Sequence, residues 1–71
     1  MPSARADEFR RVAGKLGFQQ IRQVGSHERW RHADGRTVTI PRHGGRDIGP
    51  PLFYRILRQM GVDQKQFEDL R

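Results

Sequence analysis

The chain has 71 residues, 14 Lys and Arg against 8 Asp and Glu, a formal net charge of +6 and no cysteine. That length predicts one domain over residues 1–71, burying roughly 60% of the surface its unfolded form exposes, and the lack of cysteine excludes both a disulfide framework and a thiolate metal site. The longest strictly apolar run, Leu52-Phe53-Tyr54, falls far short of the roughly 20 residues of a membrane span, and residues 1–11 show no signal-peptide pattern, so a soluble, cytoplasmic protein is expected.

Residues 4–16 predict an amphipathic helix, because Phe9, Val12, Ala13 and Leu16 recur at i, i+3, i+4 and i+7. Ser3 is the expected N-cap, Asp7 and Glu8 complement the positive end of the dipole, and Gly17 suits the C′ position. A strand is expected over residues 18–24, ended by Gly25-Ser26.

The segments 27–32 and 36–41 flank Ala33-Asp34-Gly35, a hairpin signal. Side-chain chemistry selects the register. A two-residue Asp34-Gly35 loop would set Trp30 against Thr39 and Arg31 against Val38, pairing apolar with polar on both faces. A three-residue loop with Gly35 left-handed in a G1 bulge pairs His32 with Arg36, Trp30 with Val38 and Glu28 with Ile40. Trp30, Val38 and Ile40 then share a buried face, while His27, Arg29 and Arg31 share the other with Thr37 and Thr39.

A basic, flexible loop is expected over residues 42–49. A second helix is expected from Pro51 to Met60, with Phe53, Ile56, Leu57 and Met60 on one face and Gly61 ending it. Asp63 with Gln66 forms a capping-box signature for a short final helix bearing Phe67 and Leu70. The resulting fold class is α+β: a two-layer sandwich, α-β-β-β-α with a short C-terminal helix, the architecture of double-stranded-RNA-binding domains. Topology alone assigns no function.

Twelve of the fourteen basic residues are arginine, and six of them lie between Arg22 and Arg46 with His27, His32 and His43, against only Glu28 and Asp34. A basic stripe of this kind is either a nucleic-acid footprint or a solvated surface. Gly17-Phe18, Arg22-Gln23, Gly25-Ser26-His27, Trp30, Asp34-Gly35-Arg36, the run from Val38 to Pro41, His43-Gly44-Gly45, Ile48 and Ile56-Leu57-Arg58-Gln59 before Gly61 follow in order. This set, over about residues 9–70, resembles the HicA toxins, the small ribonuclease partners of HicA–HicB toxin–antitoxin pairs. The resemblance implies metal-independent cleavage of mRNA, His27 as the catalytic histidine, and a HicB antitoxin that covers the active surface. The chain departs from the family at Pro50-Pro51 and Leu52-Phe53-Tyr54, where relatives carry a smaller, more polar helix start.

The chemistry is consistent with the residues. RNA is cleaved without metal when its 2′-hydroxyl attacks the adjacent phosphate, which needs a base, an acid and donors for the developing charge. Histidine has an unperturbed pKa of about 6.5, suited to such proton transfer, and arginines supply the donors. His27 is expected on the solvent face beside Arg29 and Arg31; spacing alone favours an ordinary exposed histidine on a basic strand, and the resemblance is what points to catalysis. The RNA contacts expected are Gly25, Ser26, Arg22, Arg29, Arg31, Arg42, His43 and Arg46. His43 is a second acid–base group, a phosphate contact or a solvated loop residue. His32, on the opposite strand parity from His27, is expected to serve the turn or the core. No histidine or carboxylate set has metal-ligand spacing, so no metal or cofactor is expected. The alternative is a non-catalytic RNA-binding module on the same fold, or a copy whose basic face binds only an acidic partner.

Overall fold

The computed structural model describes residues 2–71, in the order β1 (Ala4–Arg5), α1 (Ala6–Leu16), β2 (Gln19–Val24), β3 (His27–Arg31), β4 (Thr37–Pro41), β5 (Asp47–Ile48), α2 (Leu52–Met60) and α3 (Gln64–Leu70). Strands β2, β3 and β4 form an antiparallel meander in that order, and β1 pairs with β5 in a separate two-stranded sheet. The α+β, α-β-β-β-α architecture expected from the sequence is therefore present. Among the described residues no helix is long and apolar enough to cross a membrane.

The hairpin register is the one chosen by side-chain chemistry: Trp30 opposes Val38 and Glu28 opposes Ile40. His32 N–H donates to Arg36 O at 2.8 Å, and Gly35 adopts φ 97° in the three-residue loop. A side chain at that φ would meet its own carbonyl, which is why glycine stands there. The β2–β3 turn is tighter. Val24 pairs directly with His27, and Gly25 has φ 58° while Ser26 does not have positive φ. Glycine first with an ordinary residue second is the φ signature of a type II′ hairpin turn.

Four expectations need correction. Helix α1 begins at Ala6, and its N-cap is Arg5, not Ser3. Glu8 Oε1 accepts the Arg5 N–H at 2.9 Å, satisfying a donor that the first turn leaves without an intrahelical partner. Residues 4 and 5 are extended because Ala4 pairs with Ile48 and Arg5 with Asp47. The same pairing corrects the flexible loop over residues 42–49: Ile48 is buried, and a strand closes the segment. Finally, α2 starts at Leu52 with Pro51 as its N-cap, one residue later than expected, and Phe18 precedes β2.

The core lies between the helices and the inner sheet face. Phe9 of α1, Phe53 of α2 and Phe67 of α3 are fully buried and mutually in contact, with ring centroids 5.1 to 5.8 Å apart. Such aromatic pairs contribute about 0.5–1.5 kcal/mol each beyond their area burial. Val38 and Ile40 supply the sheet side, and Trp30 packs half-buried against the same cluster. The capping box of α3 is present in full: Gln66 N–H donates to Asp63 Oδ1 at 2.8 Å, and Asp63 N–H to Gln66 Oε1 at 2.9 Å.

Candidate functional site

The alternation of β3 divides its side chains between two environments. Glu28 is buried and Trp30 half-buried on the helix side, whereas His27, Arg29 and Arg31 are exposed on the other. Strand pairing adds Arg22 beside Arg29 and Val24 beside His27 from β2, with Thr39 opposite Arg29 on β4. A bulge between Gln20 and Arg22 shifts the β2 register and leaves Ile21 52% exposed.

His27 stands at the end of this face, next to the Gly25-Ser26 turn. Two clefts meet at it. One, of about 420 Å³, is lined by Arg22, Val24, His27, Glu28, Arg29 and Thr39. The other, of about 230 Å³, runs between β4 and α2 and is lined by His27, Thr39, Pro41, Leu52, Arg55, Ile56 and Gln59. Among the described residues the His27 ring makes no hydrogen bond to protein, so both ring nitrogens are available to an incoming group.

Charge is distributed so that this face is left cationic. Carboxylates that pair with arginine do so elsewhere: Asp7 with Arg5, Glu8 and Glu68 with Arg71, Asp34 with Arg36, and Glu28 with Arg10 and Arg42. Among the described residues Arg22, Arg29, Arg31 and Arg55 have no carboxylate within salt-bridge reach. A row of unneutralised guanidinium groups is suited to phosphate oxygens, which they bind through paired N–H donors.

Beneath the face, Glu28 ties three elements together. Its Oε1 accepts Trp30 Nε1–H at 3.1 Å, and its Oε2 accepts from Arg10 of α1 at 3.1 Å, with Arg42 Nε 3.4 Å away. The Arg42 N–H also donates to Ser26 O at 2.7 Å, joining the chain after β4 to the turn before His27.

The other expected contacts fall in different places. Arg31 lies further along β3, in a cleft with Gly17, Gln19, Ile21, His32 and Ala33. Arg42 and His43 line a separate cleft with Arg5, Asp7, Arg10, Gly44 and Gly45, at the start of α1. Arg46 follows the Gly44-Gly45 turn, its N–H donating to His43 O at 3.1 Å, and lines none of these clefts. His27, Arg22 and Arg29 thus line one cleft beside the Gly25-Ser26 turn, whereas His43 lines another. His32 serves the fold. Its Nδ1 accepts the Asp34 N–H at 3.0 Å, which makes Nε2 the protonated nitrogen and donor to Leu16 O at 3.0 Å.

Arg55, Gln59 and Thr39 are site-lining residues that sequence reasoning missed. Their signals were their place on the polar side of α2 and the outer parity of β4, together with the Ile56-Leu57-Arg58-Gln59 run for Gln59. Leu52, part of the departure from the family pattern, lines the second cleft, while Phe53 enters the aromatic core. Among the described residues no group of three or more His, Asp or Glu side chains is arranged to hold a metal ion.

Fold and face define a small α-β-β-β-α domain with one covered and one open, arginine-bearing sheet face. Over residues 6–62 the sequence matches a family described as HicA toxin of bacterial toxin–antitoxin systems. The chain belongs to the HicA toxin family, and membership carries with it the role of toxin and an antitoxin partner. It matches none of the curated proteins.

Proposed function

We propose that the protein is a metal-independent endoribonuclease that cleaves mRNA, arrests translation and growth, and is neutralised by a HicB antitoxin. The observation that supports this most is the convergence of an exposed, unbonded His27 with Arg22 and Arg29, neither of which has a carboxylate partner. In the reaction, His27 withdraws the proton of a ribose 2′-hydroxyl. The oxygen attacks the neighbouring phosphorus, the P–O5′ bond breaks, and a 2′,3′-cyclic phosphate and a 5′-hydroxyl result, the leaving oxygen being protonated by solvent or by the imidazolium. Arg22 and Arg29 stabilise the added charge on the phosphorane. Gly25 and Ser26 form the turn that leaves His27 accessible, and Arg31 extends the cationic track along the bound strand. Arg42, His43 and Arg46 contact RNA further from the scissile bond.

The test is incubation of the purified protein with mRNA in excess EDTA beside His27→Ala. Cleavage by the parent, with 5′-hydroxyl ends, and its loss in the variant support the proposal. Equal cleavage by both removes His27 from the mechanism. Salt-sensitive binding without cleavage by either protein identifies a non-catalytic RNA-binding module instead.

A further inference from the structure

The two clefts that meet at His27 differ in chemistry. One presents Arg22 and Arg29, suited to phosphate. The other has apolar walls from Pro41, Leu52 and Ile56, with Arg55 and Gln59 supplying its polar side. At about 230 Å³ it has room for one planar ring system, and such walls bind the face of a base without regard to sequence. Selectivity has to come from the polar side.

That side is polarised by a backbone contact. Thr39 N–H donates to Gln59 Oε1 at 2.9 Å. Only the oxygen of a carboxamide can accept, so the orientation of Gln59 is fixed and its NH₂ is left as a pair of donors. Among the described residues that NH₂ has no protein acceptor, and Arg55, which carries donors alone, has no carboxylate. The α2 side of the cleft therefore offers donors alone, with the Thr39 hydroxyl and the His27 ring across from it.

We propose that this cleft is a nucleobase subsite that selects the nucleotide beside the scissile phosphate, favouring a base with two adjacent acceptors. Guanine qualifies through O6 and N7, and cytosine through N3 and O2. Adenine places its N6 amino group beside N7 and N1, and uracil separates its carbonyls by N3–H, so each brings a donor against donors. This selectivity rests on the ribonuclease reading above, because it concerns the substrate of that same histidine.

Gln59→Glu is the informative variant. A carboxylate still accepts from Thr39 N–H but replaces the two outward donors with an acceptor. Two measurements separate the subsite from the chemistry. Sequencing the 5′ ends produced from a long transcript reads the base beside each cut. Titration with guanosine, cytidine and adenosine 3′-monophosphates, followed by the Leu52 methyl resonances, reads occupancy without cleavage. The parent is expected to cut beside guanine or cytosine, and to bind their monophosphates about tenfold more tightly than adenosine's; Gln59→Glu, whose acceptor suits the amino groups of adenine and cytosine but opposes O6 of guanine, is expected to move guanine from above adenine to below it in both measurements. Silent Leu52 methyls, or one base order shared by both proteins, overturn the subsite even if RNA is cut. Uncut RNA with Leu52 responding in the expected order overturns the ribonuclease reading and leaves the subsite standing.

Discussion

His27 and Glu28 are neighbours in sequence with opposite surroundings, and their substitutions should separate accordingly. His27 is exposed and makes no hydrogen bond to the rest of the chain, so His27→Ala should leave stability within about 0.5 kcal/mol of the parent. Cleavage should fall at least 10²-fold, the lower end of what a positioned proton-transfer group contributes, roughly 10²–10⁴; initial rates and thermal melts on one preparation check both. Glu28→Ala should do the reverse to the fold. It strips the acceptor from Trp30 Nε1 and the counter-charge from Arg10 and Arg42. Removing one member of a fully buried pair costs about 3–5 kcal/mol. Arg10 and Arg42 retain 34% and 55% side-chain exposure, so water recovers part of that, and a loss of about 2 kcal/mol is expected by urea unfolding. Parity alone placed Glu28 inward; its partners were not legible, because Arg10 and Arg42 reach it only through the packing of α1 and the turn after β4.

At the scale of elements, α1 depends on a carboxylate. The N–H of Arg5 donated to Glu8 holds this carboxyl below its ordinary value, and the Arg71 guanidinium adds to the effect. A depressed carboxylate pKa means that the unfolded chain takes up its proton first as pH falls. The contribution of Glu8 is therefore complete above its unfolded pKa, about 4.3, and disappears as pH drops through the folded value. Unfolding free energies of the parent and Glu8→Gln should differ at pH 7, with the difference shrinking as pH falls below the unfolded pKa of about 4.3. The hairpin offers a second check: Gly35→Ala forces a side chain onto φ 97° and should cost about 1–2 kcal/mol, with the register unchanged in amide–amide contacts. That register was legible because Trp30 needed an apolar partner and Arg31 a polar one, which left one loop length. The pairing of β1 with β5 was not: Ala4-Arg5 favours a helix locally, and only a partner more than forty positions away makes it extended. Likewise, α2 was placed within one residue, but no local signal shows which part of its polar side meets His27.

For the whole molecule, the formal charge of +6 matters less than where it is left uncompensated. Among the described residues Arg5, Arg10, Arg36, Arg42 and Arg71 have carboxylate partners, whereas Arg22, Arg29 and Arg31, gathered on the open sheet face, have none, as do the more scattered Arg11, Arg46, Arg55 and Arg58. RNA affinity should therefore fall steeply with salt, and Arg29→Ala should reduce the slope of log K against log[salt] by about 0.7, the value for one single-strand phosphate contact. Arg36→Ala, which removes a guanidinium already bound to Asp34, should leave that slope unchanged; fluorescence anisotropy with a short labelled RNA at several salt concentrations distinguishes the two.

The aromatic cluster of Phe9, Phe53 and Phe67 also sets the order in which the chain can assemble. The meander is built from neighbours in sequence, with turns of two and three residues. The layer behind it closes only when α3 reaches α1, a contact reinforced by Arg71 and Glu8 at a separation of 63 residues. Closing so long a loop delays its contacts relative to local ones. In the transition state for folding, the hairpin contacts of the strands that carry His27 are therefore expected to run ahead of those that α3 makes with α1.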